Sequence, residues 1–142
     1  MGLGVTAKQS LCLLVFNATT WTGWADNTAT SPVTNVVSTL HTADPTSGNQ
    51  TTSEASYTGA TRVNVARTSG GWSCSSGVAT NVAAVVHGAC TGGSNTISHV
   101  SLGKAASGTG EVEVAGAVTT PLAVSTGVTP QFAISGISVT WA

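Results

Sequence analysis

Charge is what this sequence has least of. Four basic and five acidic residues in 142 leave only 6 % of the chain charged and a formal net charge of −1, where roughly a quarter is usual for a soluble domain. Such a chain has no basic footprint for the phosphates of nucleic acid and no cationic face for an anionic membrane, so neither is an expected partner. Cysteine is sparse as well. Cys12, Cys74 and Cys90 are odd in number and lack any CxxC spacing, which removes both a full disulfide framework and a zinc ribbon. Buried free thiols are the expected state, with a Cys74 to Cys90 bridge as the alternative. Long apolar runs are missing: nothing approaches the roughly 18 residues of a membrane span. The first residues show neither the basic segment nor the apolar run of a secretory signal, so the expectation is a protein made in the cytosol that leaves only when the cell does.

Hydroxyls take the place of charge. The chain holds 24 Thr, 17 Ser and 17 Gly, and threonine is well accepted by pleated strands. A near-neutral surface also offers little repulsion between copies, which suits side-by-side assembly. The length fits one domain, residues 1–142.

One helix is expected, from about residue 6 to 18. "TAKQ" at 6–9 has the capping-box pattern, Thr6 toward the amide of Gln9 and Gln9 back toward Thr6. Ala7, Leu11, Leu14, Val15 and Ala18 follow on one face at helical spacing, widened by Cys12 and Phe16. "NATT" should end the helix through side chains that compete for its backbone, and Trp21 and Trp24 come next. From residue 33 to 142 the period changes to two. "VTNVVSTLHT", "TRVNVAR" (Val63 and Val65 inward; Arg62, Asn64 and Arg67 outward), "NVAAVVH", "NTISHVSLG", "GEVEVAGAV", "PLAV", "PQFAI" and "GISVTWA" are separated by Gly, Ser, Thr and Pro clusters. About eight short strands at such intervals predict an all-β antiparallel sandwich.

Candidate chemistry is thin. His41 and Asp44 lie three apart, on opposite faces of an extended strand; Asp44 before Pro45 is better read as a turn starter. Serine is too abundant for any Ser, His and Asp combination to signify, and no GxSxG elbow occurs. Glu111 and Glu113 share a strand face, as a solvent-facing pair would, although a glycosidase also needs two carboxylates. His41, His87 and His99 fall on three separate expected strands without HxH or HExxH spacing, so no metal site is expected. "TSGG", "TGGS" and "SGTG" lack the lysine and context of a phosphate loop and read as hairpin loops. The chain is expected to be no enzyme and to need no cofactor.

The ordered succession of "LHTADP", "SYTG", "GW", "GGSNTISH", "AASG" and "PLAVSTGVTP" resembles a family of small virion proteins of tailed bacteriophages, often labelled tail-fibre-like, across essentially the whole chain. Ala60 stands where an aromatic often follows SYTG, and "VVHGACTGG" replaces a proline-containing segment, which weakens an aromatic-lined binding surface. The resemblance implies a jelly-roll-like antiparallel β-sandwich with an N-terminal helix, present in many copies on the particle, without catalysis. One implied role is a head decoration or cement protein on the outer capsid surface, bound to the major capsid protein and forming trimers. The other is a tail-fibre or tail-associated component that touches the host surface, through loops 43–56 and 68–77 with Tyr57 and Trp72 stacking on sugars. The absence of shaft repeats tilts the expectation toward decoration. Leu11, Leu14, Phe16, Trp21 and Trp24 are the candidate core, subunit or capsid contacts, since large apolar side chains carry most interface energy.

Overall fold

The computed structural model describes residues 3–21, 25 and 32–141. Among these residues helix α1 (Val5–Asn17) precedes nine strands: β1 (Asn35–His41), β2 (Val63–Ala66), β3 (Trp72–Ser75), β4 (Val78–Asn81), β5 (Val85–Val86), β6 (Ser94–Gly103), β7 (Val112–Ser125), β8 (Gln131–Phe132) and β9 (Ser138–Thr140). The fold is mostly β, with antiparallel sheets and an N-terminal helix, as alternation and turn spacing predicted. Two compact units divide the chain: Met1–Asn35 with Val65–Ala84 and Phe132–Ala142, and Val36–Asn64 with Val85–Gln131.

In the first unit α1 packs on the three-stranded sheet β3-β4-β9. Its N-cap is Gly4, with no side-chain cap. The expected Thr6–Gln9 box is absent because Gln9 is engaged elsewhere: its Nε2 donates to Cys74 O (3.1 Å) and its Oε1 accepts from Gly77 N (2.9 Å). The helix is apolar around most of its circumference, so its sequence does not choose a face. Packing chooses Cys12 and Phe16, which are buried, while Ala7, Leu11, Leu14, Val15 and Ala18 are only half-buried. Phe16 lies against Trp72 at 4.8 Å between ring centroids, tilted by 54°.

The helix ends where Ala18 turns left-handed (φ 53°). Arg67 then closes its C-terminus: Nε donates to Val15 O (2.6 Å), a terminal nitrogen donates to Leu14 O, and Nη1 donates to Val33 O (3.1 Å). A cation on the last carbonyls satisfies orphan acceptors and complements the dipole. The expectation that Arg67 points outward is therefore corrected. The β3–β4 hairpin turns through Ser76 and Gly77, both with positive φ (52° and 77°), the two-residue turn that matches strand twist. Residues 68–77 were expected as a loop, yet 72–75 form a strand. Asn81 ties the unit's last segment together, accepting from Ile137 N (2.8 Å) and donating to Ala133 O (2.7 Å).

The second unit is built on β1, β6 and β7, consecutive strands of the sheet ordered β2-β1-β6-β7. From Val36 to His41 every residue of β1 is buried. Strand β7 joins two segments that were expected to be separate strands. Its register against β6 jumps from Ile97–Leu122 to His99–Ala117, so residues 118–121 bulge opposite Ser98 alone. Pro121 sits in that bulge, where its missing N–H costs no ladder bond.

Candidate functional site

The polar residues that carry the second unit's interior lie along β1. His41 has no exposed surface; its Nδ1 lies 2.8 Å from Thr52 O and its Nε2 2.7 Å from Ser101 Oγ. His87 repeats the arrangement, Nδ1 at 3.0 Å from Thr61 O and Nε2 at 3.2 Å from Ser38 Oγ. A carbonyl oxygen only accepts, so each Nδ1 carries the proton and each Nε2 accepts from a serine hydroxyl. Both rings are neutral in this arrangement, and burial pushes both pKa values below the ordinary histidine value.

Each pair looks like a nucleophile beside its base, but the orienting partner is a main-chain carbonyl rather than a carboxylate. Ser38, Ser101 and His41 are fully buried and His87 nearly so. A substrate carbonyl has no path to either hydroxyl, and the pairs serve as internal polar struts. Gln50, also fully buried, joins them by donating to Thr39 Oγ1 (3.1 Å) and accepting from Ala105 N (3.0 Å).

Arg62 was expected outward and is instead buried, its side chain 5 % exposed. Its Nε and Nη2 meet the two carboxylate oxygens of Glu54 at 2.7 and 2.8 Å, and Nη1 donates to Ala105 O (2.9 Å). This fork locks the segment after β1 to the β6–β7 connection. An open groove of about 450 Å³ runs past the pair, lined by Glu54, Ala60, Thr61, Arg62, Ala106, Ser107 and Gly108.

The residues singled out in the sequence are scattered. Asp44 starts its turn, Oδ1 accepting from Thr46 N at 2.9 Å, an interaction that holds its carboxyl below the ordinary value, and it makes no bond to His41. Glu111 and Glu113 are both exposed and share Lys104, at 2.6 and 3.7 Å. The hydrogen bond to Lys104 lowers the Glu111 pKa and raises that of Lys104. Tyr57 and Trp72 are not available to stack on sugars: Trp72 is fully buried, and Tyr57 is 4 % exposed with its hydroxyl donating to Gly88 O (2.8 Å). Of the candidate contacts, Phe16 is in the first unit's core, Leu11, Leu14 and Trp21 are half-buried, and Trp24 lies outside the described residues. Among the described residues no three His, Cys, Asp or Glu side chains gather as a metal would require.

The family model described as "Podophage GP4 fiber I protein gp80" matches residues 17–140. No curated protein matches. The match spans most of the chain, and the chain therefore belongs to this family of fibre-type structural proteins of the bacteriophage virion.

Proposed function

We propose that the protein is a non-catalytic cement subunit, bound as trimers to the outer face of the major capsid protein lattice and needing no cofactor. The observation that supports this reading is the face offered by β7. From Val114 to Ser125 no side chain ionises, and Gly116, Ala117 and residues 119–123 are exposed. An uncharged surface of small residues, hydroxyls and the exposed Leu122 forms contacts that salt does not screen, which suits a clip holding capsomers together. The buried serine–histidine pairs support the non-catalytic reading, since neither can reach a substrate.

A second reading, a tail-associated fibre component that contacts the host surface, is favoured by the family's description. Copy number per purified particle, measured by quantitative mass spectrometry against the major coat protein, separates the two. Hundreds of copies are expected for cement, whereas a few dozen would transfer the protein to the tail. For the cement role, binding of purified protein to particles stripped of it should persist at 1 M salt, where the Debye length is about 3 Å.

A further inference from the structure

The two units hold three free thiols, and two of them face each other across the helix–hairpin contact of the first unit. The register of that contact follows from simple rises. Phe16 lies on Trp72; four residues back along a helix is about 6 Å, and two residues on along a strand is about 6.6 Å. Moving back from Phe16 gives Cys12, and moving on from Trp72 gives Cys74, on the same strand face. Gln9, three residues further back, bonds the Cys74 carbonyl and the Gly77 amide. At Gly77 an added Cβ would stand 2.5 Å from Lys8 Cβ, so helix and hairpin are pressed together at this end as well. The Cys12 and Cys74 thiols are near enough that each shifts the ionisation of the other.

We propose that Cys12 and Cys74 form a disulfide when the protein meets an oxidising medium, clamping α1 onto the β3–β4 hairpin, and that Cys90 takes no part. The oxidant is a low-molecular-weight disulfide. Cys74 is half-buried beside an open groove of about 430 Å³ lined by Val5, Thr6, Gln9, Ser10, Cys74, Ser75 and Ser76, which gives such a molecule access. The Cys74 thiolate attacks one sulfur of the small disulfide, the S–S bond breaks, and one small thiol leaves. Buried Cys12 then loses its proton and attacks the Cys74 sulfur, releasing the second small thiol. The protein loses two protons and two electrons, which convert the small disulfide into two thiols.

The surroundings set the rate. Burial first, and then the neighbouring Cys12, push the Cys74 thiol up to about 12, so the attacking thiolate is rare at neutral pH and the pair stays reduced through brief exposure. The buried Trp141 indole N–H has no hydrogen-bond partner among the described residues, and its proximity partly offsets the upward push of burial on the Cys12 thiol. Cys90 is held apart, its thiol directed at Gly92 O (3.4 Å) and Gly93 O (3.6 Å).

The test uses the full-length protein, reduced and then incubated with oxidised glutathione at pH 8.5. A non-reducing peptide map should show a Cys12–Cys74 link with Cys90 free. Closing a loop of roughly 60 residues should raise the melting temperature by roughly 10 °C. Cys90→Ser should keep the link and the shift, and Cys74→Ser, at the half-buried position, should abolish both. The rate should rise close to tenfold between pH 7.5 and 8.5. Three free thiols after prolonged oxidation, a Cys74–Cys90 link, or a glutathione adduct on Cys74 with no internal bond would each overturn the proposal.

Discussion

Acid should weaken the second unit through its two buried histidines. The arrangement at His41 and His87 suits neutral rings, Nδ1–H donating to a carbonyl and Nε2 accepting from a serine, and burial, which disfavours the charged ring, lowers both pKa values in the fold. In the unfolded chain each ring titrates near 6.5. The sign follows: a group whose folded pKa is depressed adds stability that is fully present above the unfolded pKa and is lost as pH falls toward the folded one. Around His41 the other charges partly offset each other, Glu54 raising its pKa while Arg62 and His99 lower it, so desolvation decides the direction.

The magnitude comes from linkage. While the folded rings remain neutral, each histidine costs up to roughly 1.4 kcal/mol of stability per pH unit below 6.5. Integrated from pH 6.5, where the unfolded rings are half protonated, down to pH 5, the two rings give at most about 3 kcal/mol, a large fraction of the 5–15 kcal/mol that usually holds a domain. Asp44 and Glu111 have lowered pKa values and titrate below this interval. The assay is urea unfolding at pH 7.5, 6.5, 5.75 and 5, followed by circular dichroism and by hydrogen exchange of the second unit's strands. The midpoint should be level down to about 7 and then fall. His87→Gln, which retains a donor and an acceptor, should roughly halve the slope. A midpoint that stays flat or rises between pH 7.5 and 5 would refute the assignment of neutral, load-carrying rings.

Ser101→Ala should cost about 1–3 kcal/mol, because it leaves His41 Nε2 buried without a donor, and its unfolding midpoint should drop accordingly. Arg62→Ala strips Glu54 of its fork and opens the Ala105 carbonyl; a loss of about 3–5 kcal/mol is expected in chemical denaturation, against a smaller loss for Glu54→Gln. Gly59→Ala should prevent stable folding of the second unit, seen as loss of soluble expression, since Gly59 has φ 101° and an added Cβ would lie 2.1 Å from Ala89 O.

Particular residues show how far the sequence could be read. Alternation found β1, β6 and β7, and the proline turn at Asp44 follows from local chemistry that needs no tertiary partner. The helix was placed to within a residue, but its buried face was not. An apolar helix is oriented by what it packs on, and Trp72 stood in a stretch read as loop. The signal for that hairpin was present in the Ser76–Gly77 pair, a two-residue turn flanked by short β-prone segments. Strand β7 was divided at Pro121 because proline usually ends a central strand, and a bulge removes the reason. The histidine struts could not be read at all: His41 and Ser101 are 60 positions apart, and abundant serine hides the one that matters.

The same residues explain why so little charge suffices. Both arginines act internally, Arg62 on Glu54 and a carbonyl, Arg67 on the end of α1. Lys104 is paired with Glu111 and Glu113. The remaining interior polarity is neutral: imidazole, amide and hydroxyl groups bonded to one another and to main-chain carbonyls. Among the described residues both arginines therefore fasten parts of the fold, a loop to a strand connection and a helix to its neighbour. From Val114 to Ser125 the exposed side of β7 carries no charge and mixes small residues and threonines with Leu122, so contacts made there would rest on shape and apolar fit, which salt does not screen.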